Sequence, residues 1–220
     1  MKAMILAAGR GERMMPLTKT TPKPLLKVRG LTLIEHSIMA LKKAKISNII
    51  VNVAYLGWQI KAYIGNGSRL GVKITYSDEF SGALDTAGGI IKALPLLGKE
   101  PFVVINSDVL CDYDLSKLAL PVDSLAHLIL VDNPEHNTTG DFSLTDDHQV
   151  SINQSNDLTF SGIGIYHPNF FKPYTSTPGQ LALYPLLKDA IANNKLSAEH
   201  YHGHWQDIGT PERLEQANFR

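Results

Sequence analysis

The sequence predicts an α/β fold: a doubly wound, mostly parallel, Rossmann-like sheet flanked by helices, followed by a mixed second half. Three observations predict it. Strand-length apolar segments alternate with segments of helical periodicity as far as residue 115. The strand segments are continuously apolar, which is typical of parallel strands covered on both faces. Beyond about residue 120 the segments shorten and turn residues separate them. We therefore expect a single domain over 1–220, with a first half at 1–115 and a mixed half at 116–220.

Each element has its own sequence signal. In the first half we predict strands over Lys2–Ala7, Ser47–Val53, Val72–Tyr76 and Pro101–Asn106, and helices over Leu33–Lys43, Gln59–Ile64 and Thr86–Leu94. The Gly-, Pro- and Thr-rich stretch 9–24 has no helical pattern, so we predict an extended loop. In the second half we predict strands over Ala126–Val131, Asp141–Leu144, Gln149–Ile152 and Leu158–Tyr166. Leu181–Asn193 predicts a helix that starts at Pro185, and Pro211–Asn218 a helix capped by Thr210.

Composition excludes several classes of protein. The chain has 21 Lys and Arg against 21 Asp and Glu, a formal net charge of zero, which argues against nucleic-acid or membrane partners. Cys111 is the only cysteine, which excludes an internal disulfide and a cysteine-rich zinc site, and we interpret it as a buried thiol. No apolar run approaches the ~18 residues of a membrane span. Glycine and arginine interrupt the apolar N-terminal stretch at once, so we expect a cytoplasmic protein.

The zero net charge conceals a basic segment. Residues 10–29 carry six basic side chains against one acid, Glu12, a local charge of +5. Gly9 and Gly11 precede most of this charge at the end of the first strand, where open α/β sheets bind ligands and glycines let backbone N–H groups approach phosphates. Lys23 is held between two prolines, which stiffen its backbone. A solvated basic loop is the alternative, but together these features favour a polyphosphate site. A dinucleotide fingerprint is disfavoured because Met14 stands at the third glycine position.

Five blocks in order resemble the signature of the sugar-phosphate nucleotidyltransferases, which join a nucleoside triphosphate to a sugar 1-phosphate. The blocks are LAAGRGERMMPLT with TPKPLL (6–18 and 21–26), LDTAGG (84–89), NSD (106–108), FSGIGIY (160–166) and WQDIGT (205–210). The resemblance covers essentially the whole chain. With GDF at 140–142 and HYHGHWQDIGT near the end, it implies uridylyl transfer from UTP to a sugar 1-phosphate. N-acetylmuramate 1-phosphate, in cell-wall recycling, is the favoured acceptor.

The resemblance also implies roles for individual residues. It assigns Arg13 to the leaving pyrophosphate and Lys23 to the phosphates near the reacting centre, and it pairs Asp108 with Asp207 on one Mg²⁺, an ion that prefers oxygen ligands. These four form the expected catalytic set. The implied nucleotide-binding residues are Leu6, Ala8, Gly9, Gly11, Glu12, Arg13, Lys23, Leu84, Thr86, Gly88 and Asn106. The expected sugar-binding residues are Gly140, Asp141, Asn153 and Gly162.

Two positions depart from the family pattern. Residues 150–156 contain no lysine where several relatives have Glu-Lys-Pro, which leaves the sugar-phosphate contact unassigned. Asp85 stands where many relatives have glycine, which leaves base and sugar preference open. The alternatives are a guanylyl- or thymidylyltransferase for another hexose 1-phosphate, and a non-catalytic subunit that senses sugar nucleotides. The intact catalytic set weighs against the sensor.

The remaining aromatic and histidine residues allow simpler interpretations. His200, His202 and His204 alternate, so a strand would place them on one face, as in a three-histidine zinc site. We favour solvent-facing or substrate-lining histidines, which need no metal. Tyr55 and Trp58 are predicted to pack against neighbouring residues. The chain has no hexapeptide repeat of the kind that trimerises longer relatives, so we expect a monomer.

Overall fold

A seven-stranded sheet forms the centre of the computed structural model, which describes residues 1–80, 82–145, 149–153, 156–176 and 179–219. The strands are β1 (Lys2–Leu6), β2 (Lys27–Val28), β3 (Leu31–Thr32), β4 (Asn48–Val53), β5 (Lys73–Asp78), β6 (Phe102–Asn106), β7 (Val109–Cys111), β8 (Ala126–Asp132), β9 (Ser143–Leu144), β10 (Val150–Ser151), β11 (Leu158–Tyr166), β12 (Leu196–His200) and β13 (Trp205–Asp207). The helices are α1 (Leu33–Lys43), α2 (Gly57–Ile64), α3 (Asp85–Leu97), α4 (Leu183–Ala192) and α5 (Pro211–Phe219).

The sheet order is β12-β8-β11-β6-β1-β4-β5. Every neighbouring pair is parallel except those of β11, which runs antiparallel to β6 and to β8. Short antiparallel ladders join β2 to β3, β9 to β10, and β7 to β13. The mostly parallel fold with a mixed second half is therefore confirmed.

Both faces of the sheet are buried, which explains the continuous apolar runs. In β1, Met4 belongs to the core under α3 and α4, whereas Ala3 and Ile5 belong to the core under α1 and α2. All three side chains are fully buried. Alternate residues of one strand thus enter different cores, so neither set can be polar.

Helix starts follow local chemistry, with one correction. Thr32 caps α1 in a capping box with Glu35, each residue's side chain accepting from the other's backbone N–H. Helix α4 begins at Leu183, so the predicted start at Pro185 is wrong by two residues. Proline is tolerated there because N–H groups of the first turn have no partner inside the helix.

The loop after β1 is also different from the prediction. It forms three 3₁₀ turns, Glu12–Met14, Leu17–Lys19 and Lys23–Leu25, and is not an extended segment. Single tight turns suit a segment in which prolines and glycines repeatedly fix or invert the backbone.

The C-terminal histidines do not share one strand. β12 ends at His200, and residues 205–207 form the separate strand β13, which pairs with β7. The prediction of one strand that places all three histidines on one face is therefore wrong, because the chain leaves the sheet edge after His200 to reach β7. Trp58 is also not a packing residue, since it is 69% exposed. Within the described residues, no helix is both long and apolar enough to span a membrane.

Candidate active site

A cleft of about 570 Å³ opens where parallel strands of the first half end. Open α/β sheets bind their ligands at this edge. Its walls come from the ends of β1, β4, β5 and β6, the loop after β1, and the start of α3. The lining residues are Leu6, Ala7, Ala8, Gly9, Arg10, Gly11, Glu12, Arg13, Lys23, Pro24, Asn52, Glu79, Ala83, Asp85, Thr86, Asn106, Ser107, Asp108, Gln180 and Gly209.

The glycine loop is held in one shape by contacts that only glycine permits. Gly11 has φ +67°, and a Cβ there would lie 3.0 Å from the Thr18 side chain and 3.1 Å from that of Lys23. The Thr18 hydroxyl donates to the Gly11 carbonyl at 2.8 Å. Tyr55 and Gln59 donate side-chain hydrogen bonds to carbonyls further along the loop. Tyr55, expected to pack, therefore fixes the loop that carries the basic residues.

Lys23 and Asp108 form an ion pair in the cleft. The Lys23 ammonium contacts Asp108 Oδ2, and the two side chains are 13% and 24% exposed. Asp108 follows β6, and the Ser107 N–H donates to the Leu6 carbonyl at 3.1 Å, which ties this turn to the end of β1. Arg13 lies on the same cleft wall with its side chain exposed. The structure thus brings together three of the four expected catalytic residues.

A buried polar network forms the opposite wall. Asn52, at 3% exposure, accepts from the Ala7 N–H at 2.8 Å and donates to Glu79 at 2.7 Å. Glu79, at 2% exposure, accepts with its other oxygen from the Leu84 N–H at 2.7 Å. A Cβ on Gly89 would lie 2.7 Å from Glu79, so glycine is needed where α3 approaches the pair. The network ties together the ends of three strands and the start of α3.

The loop at the start of α3 explains one departure from the family pattern. Asp85 has φ +63°, a conformation that glycine adopts readily and that Asp tolerates better than most residues. Its carboxylate accepts from the Thr86 N–H at 2.8 Å. Thr86 lines the cleft, whereas Leu84 and Gly88 are not among the cleft-lining residues. The Gly88 N–H donates to the Leu181 carbonyl at 3.1 Å, and this hydrogen bond holds the start of α3 against the segment before α4.

Asp207 lies on the strand next to Asp108. In the β7–β13 ladder it stands opposite Val109, and the Ile208 N–H donates to the Asp108 carbonyl at 2.8 Å. Its carboxylate accepts from Arg213 at 2.5 and 2.7 Å and lies 3.1 Å from His136 Nε2. Asp207 is not among the cleft-lining residues, although Gly209 is. One carboxylate at the end of β13 and one in the turn before β7 fit the oxygen preference of Mg²⁺, but each is held here by a basic side chain.

None of the four expected sugar-binding residues is among the cleft-lining residues, although Gly162 packs against one of those, Asn106. Gly162 sits in a bulge of β11 with φ +81°, where a Cβ would lie 2.6 Å from the amide of Asn106. Gly140, Asp141 and Asn153 are not among the cleft-lining residues. The Asp141 carboxylate accepts a hydrogen bond of 2.8 Å from the backbone N–H of Phe160, which precedes the bulge. Asn153 is exposed. Residues 154 and 155, in the stretch without the family lysine, lie outside the described residues.

Comparisons with known proteins agree with this geometry. Residues 2–139 match the family model described as nucleotidyl transferase. The chain belongs to this family. It is 51% identical to N-acetylmuramate alpha-1-phosphate uridylyltransferase from Neisseria meningitidis, over 99% of this chain and 96% of the relative. It is 32% identical, over the same shares, to the protein of that name from Caulobacter vibrioides.

A solved structure supports the fold of this nucleotidyl transferase. A Bacillus anthracis protein described as a glucose-1-phosphate thymidylyltransferase, crystallised with a sucrose, superposes with a TM-score of 0.86. The match covers 99% of this chain and 94% of that one at 23% identity, which shows a common fold. The family and the fold expected from the sequence motifs are confirmed.

Sequence reasoning missed the Asn52–Glu79 pair of the nucleotidyl transferase. A signal was present: Asn52 interrupts an apolar strand, and Glu79 follows the strand beside it in the sheet. Polar residues at the ends of neighbouring parallel strands meet at the ligand-binding edge.

Cys111 of the nucleotidyl transferase lies in a second, smaller cavity of about 220 Å³ behind β7. Burial, with a smaller contribution from the Asp112 charge, raises the pKa of its thiol to about 11, although a hydrogen bond from the Tyr113 N–H acts in the opposite direction. The thiolate is the nucleophilic form, so this thiol is unreactive near neutral pH.

Proposed function

We propose that this nucleotidyl transferase transfers a uridylyl group from UTP to N-acetylmuramate α-1-phosphate, giving UDP-N-acetylmuramate and pyrophosphate. The two relatives that carry this name each align over 99% of the chain. The geometric observation that carries the proposal is the Lys23–Asp108 pair against the glycine loop, since it supplies a cation and a carboxylate in the cleft at the ligand-binding edge of the sheet.

The reaction needs no covalent protein nucleophile. An oxygen of the sugar phosphate attacks the α-phosphorus, the bond to the bridging oxygen breaks, and its electron pair leaves with pyrophosphate. Positioning and charge neutralisation lower the barrier. We assign Arg13 and the glycine-loop N–H groups to the leaving pyrophosphate, because a guanidinium fork matches phosphate oxygens. We assign Lys23 to the phosphates near the reacting centre.

We further propose Mg²⁺ as the cofactor, held by Asp108 and Asp207. When bound, Mg²⁺ neutralises phosphate charge and orients the phosphate oxygens. Asp207 ends β13, Asp108 lies in the turn that leads into its partner strand β7, and Lys23 and Arg213 hold the two carboxylates in place. When a metal ion binds the two carboxylates, the positive charges of Lys23 and Arg213 become free to interact with phosphate groups.

The setting follows from the proposed substrates. The acceptor is a cell-wall sugar and the donor a nucleoside triphosphate, so we propose a cytoplasmic role in peptidoglycan recycling. We also propose a monomer whose residues 1–115 bind the nucleotide and whose residues 116–220 bind the sugar.

A pyrophosphate-release assay tests the substrates. UTP, ATP, GTP and dTTP are each paired with the 1-phosphates of N-acetylmuramate, N-acetylglucosamine, glucose and mannose. UTP with N-acetylmuramate 1-phosphate should give the highest kcat/KM. Preference for GTP or dTTP with a hexose 1-phosphate would favour that alternative, and nucleotide binding without turnover would favour the sensor.

A substitution tests the assigned carboxylate. Asp108→Asn should lower turnover by about 100-fold or more, as loss of a preorganised electrostatic group does. Asp114→Asn is the matched control, because Asp114 caps a 3₁₀ turn outside the cleft and asparagine can keep the cap. Circular dichroism should show both variants folded. Near-normal turnover of Asp108→Asn would refute the metal role.

A further inference from the structure

Two histidines and an aspartate meet at an edge of the sheet, away from the cleft-lining residues. β8 ends at Asp132, and its parallel neighbour β12 ends at His200, which stands opposite Leu130. His200 Nε2 lies 2.8 Å from Asp132 Oδ1, and the His200 and His202 rings are 3.9 Å apart between centroids. One ligand atom from each of the three side chains lies within 4.8 Å of the other two.

These donors suit a transition metal. Imidazole nitrogen and carboxylate oxygen are ordinary zinc ligands, whereas Mg²⁺ prefers oxygen alone. Zinc bonds of 2.0–2.2 Å in a tetrahedral shell place ligand atoms roughly 3.4 Å apart. The ligand atoms lie within 4.8 Å of one another, so binding requires the exposed Asp132 and His202 side chains to rotate toward the half-buried His200. We propose that Asp132, His200 and His202 bind one Zn²⁺ or similar divalent transition metal, with water as the fourth ligand.

The backbone holds the two histidines on one side. The intervening residue, Tyr201, donates its N–H to the Leu130 carbonyl at 2.8 Å and its hydroxyl to Asp112 at 2.6 Å. The rings of His200 and His202, 3.9 Å apart between centroids, lie together on one side of this anchored residue. Asp132 is 79% exposed and His200 25% exposed, so an ion can enter from solvent. The bound ion clamps the edge strand β12 to β8.

Zinc titration of the tag-free, chelator-treated protein tests the site, by calorimetry in excess Mg²⁺ so that oxygen sites are filled. One equivalent should bind, and His202→Gln and Asp132→Asn should each weaken the affinity by about tenfold or more, since each removes a direct ligand. His204→Gln is the matched control: His204 is also exposed, two residues further on, but is outside the cluster. Its zinc affinity should equal that of the unmodified protein.

Thermal unfolding gives a second readout. At a zinc concentration about 100 times Kd the midpoint should rise by about 5–10 °C in the unmodified protein and in His204→Gln, and by much less in the two ligand variants. Absence of stoichiometric binding at micromolar zinc would overturn the proposal. Undiminished binding by His202→Gln and Asp132→Asn would overturn it too, as would zinc binding that is lost only in Asp108→Asn.

Discussion

Moving the carboxylate of the buried Asn52–Glu79 pair from position 79 to position 52, and the amide the other way, should separate the effect of hydrogen-bond pairing on stability from the effect of charge. In Glu79→Gln, one amide oxygen replaces two carboxylate oxygens that accept from Asn52 and the Leu84 N–H. The glutamine NH₂ must then face one of these donors. Turning the Asn52 amide only moves the conflict to the Ala7 N–H. One buried donor stays unpaired, which costs about 1–3 kcal/mol.

The reciprocal substitution, Asn52→Asp, leaves an acceptor without a donor where Glu79→Gln leaves a donor without an acceptor. Asn52→Asp removes the NH₂ group that donates to Glu79 and places two buried carboxyl groups against each other, so it should cost at least as much as Glu79→Gln. In the double variant every group is paired again: the new aspartate accepts from the Ala7 N–H and from the new glutamine NH₂, and the glutamine oxygen accepts from the Leu84 N–H. The double variant should unfold with a free energy within about 1 kcal/mol of the original, a coupling of about 2 kcal/mol or more.

Urea unfolding followed by circular dichroism and tryptophan fluorescence measures these free energies, and coincident transitions justify a two-state treatment. Asn48→Asp is the matched control, because Asn48 is exposed at the start of the same strand, and it should change stability by less than about 0.5 kcal/mol. The reasoning is refuted if the double variant is as unstable as the sum of the two single variants.

Three further predictions concern other parts of the chain. Gly11→Ala should destabilise the protein by about 1–2 kcal/mol in urea unfolding and raise KM for the nucleotide, because residue 11 has φ +67° and a Cβ there would crowd Thr18. Gly9→Ala is the control: no atom lies near its Cβ, so it should leave stability within about 0.5 kcal/mol. Asp85→Ala should cost about 1–2 kcal/mol while Asp85→Gly costs less than half as much, since glycine accepts the φ of +63°; equal losses would contradict the backbone explanation. Burial raises the thiol pKa of Cys111 from 9.0 to about 11, so in the folded protein at pH 8 the thiol should react with Ellman's reagent about 100-fold more slowly than in urea. The free energy of unfolding should fall as pH rises from about 9 to 11, because the folded state holds the proton more tightly than the unfolded state. Reaction of the folded protein at the unfolded rate would refute this.

The fold was predictable where one local signal decided the structure. Continuous apolar runs placed the central strands, and helix α1 and strand β11 have the predicted bounds. Errors arose where a competing local rule won. Pro185 suggested a helix start, but first-turn N–H groups need no partner, so Leu183 could start the helix. The alternating histidines suggested one strand, but pairing of β13 with β7 takes the chain away from the sheet edge.

The site was predictable to the extent that it is local. The glycine turn and the proline-flanked Lys23 stand within one segment, so sequence alone indicated a phosphate site there. The partners of Lys23 and Asp207 depend on the tertiary path: Asp108 is 85 residues from Lys23, and His136 approaches Asp207 from the loop after β8. No local pattern encodes which side chain a carboxylate meets across such distances. Only the family resemblance linked Asp108 to Asp207.

The charges of the site explain why a neutral chain can attract a polyanion. Its three key carboxylates are each matched from another segment: Asp108 by Lys23, Asp207 by Arg213, and Glu79 by neutral donors. The two ion pairs offset the charges of Asp108 and Asp207, so these two carboxylates repel an incoming triphosphate less than free carboxylates would. Of the six basic residues at 10–29, Arg10, Arg13 and Lys23 line the cleft, and Lys23 is the one that Asp108 neutralises. Arg10 and Arg13 attract the phosphates of an anionic ligand, and the paired carboxylates stay positioned for a cation that arrives with those phosphates.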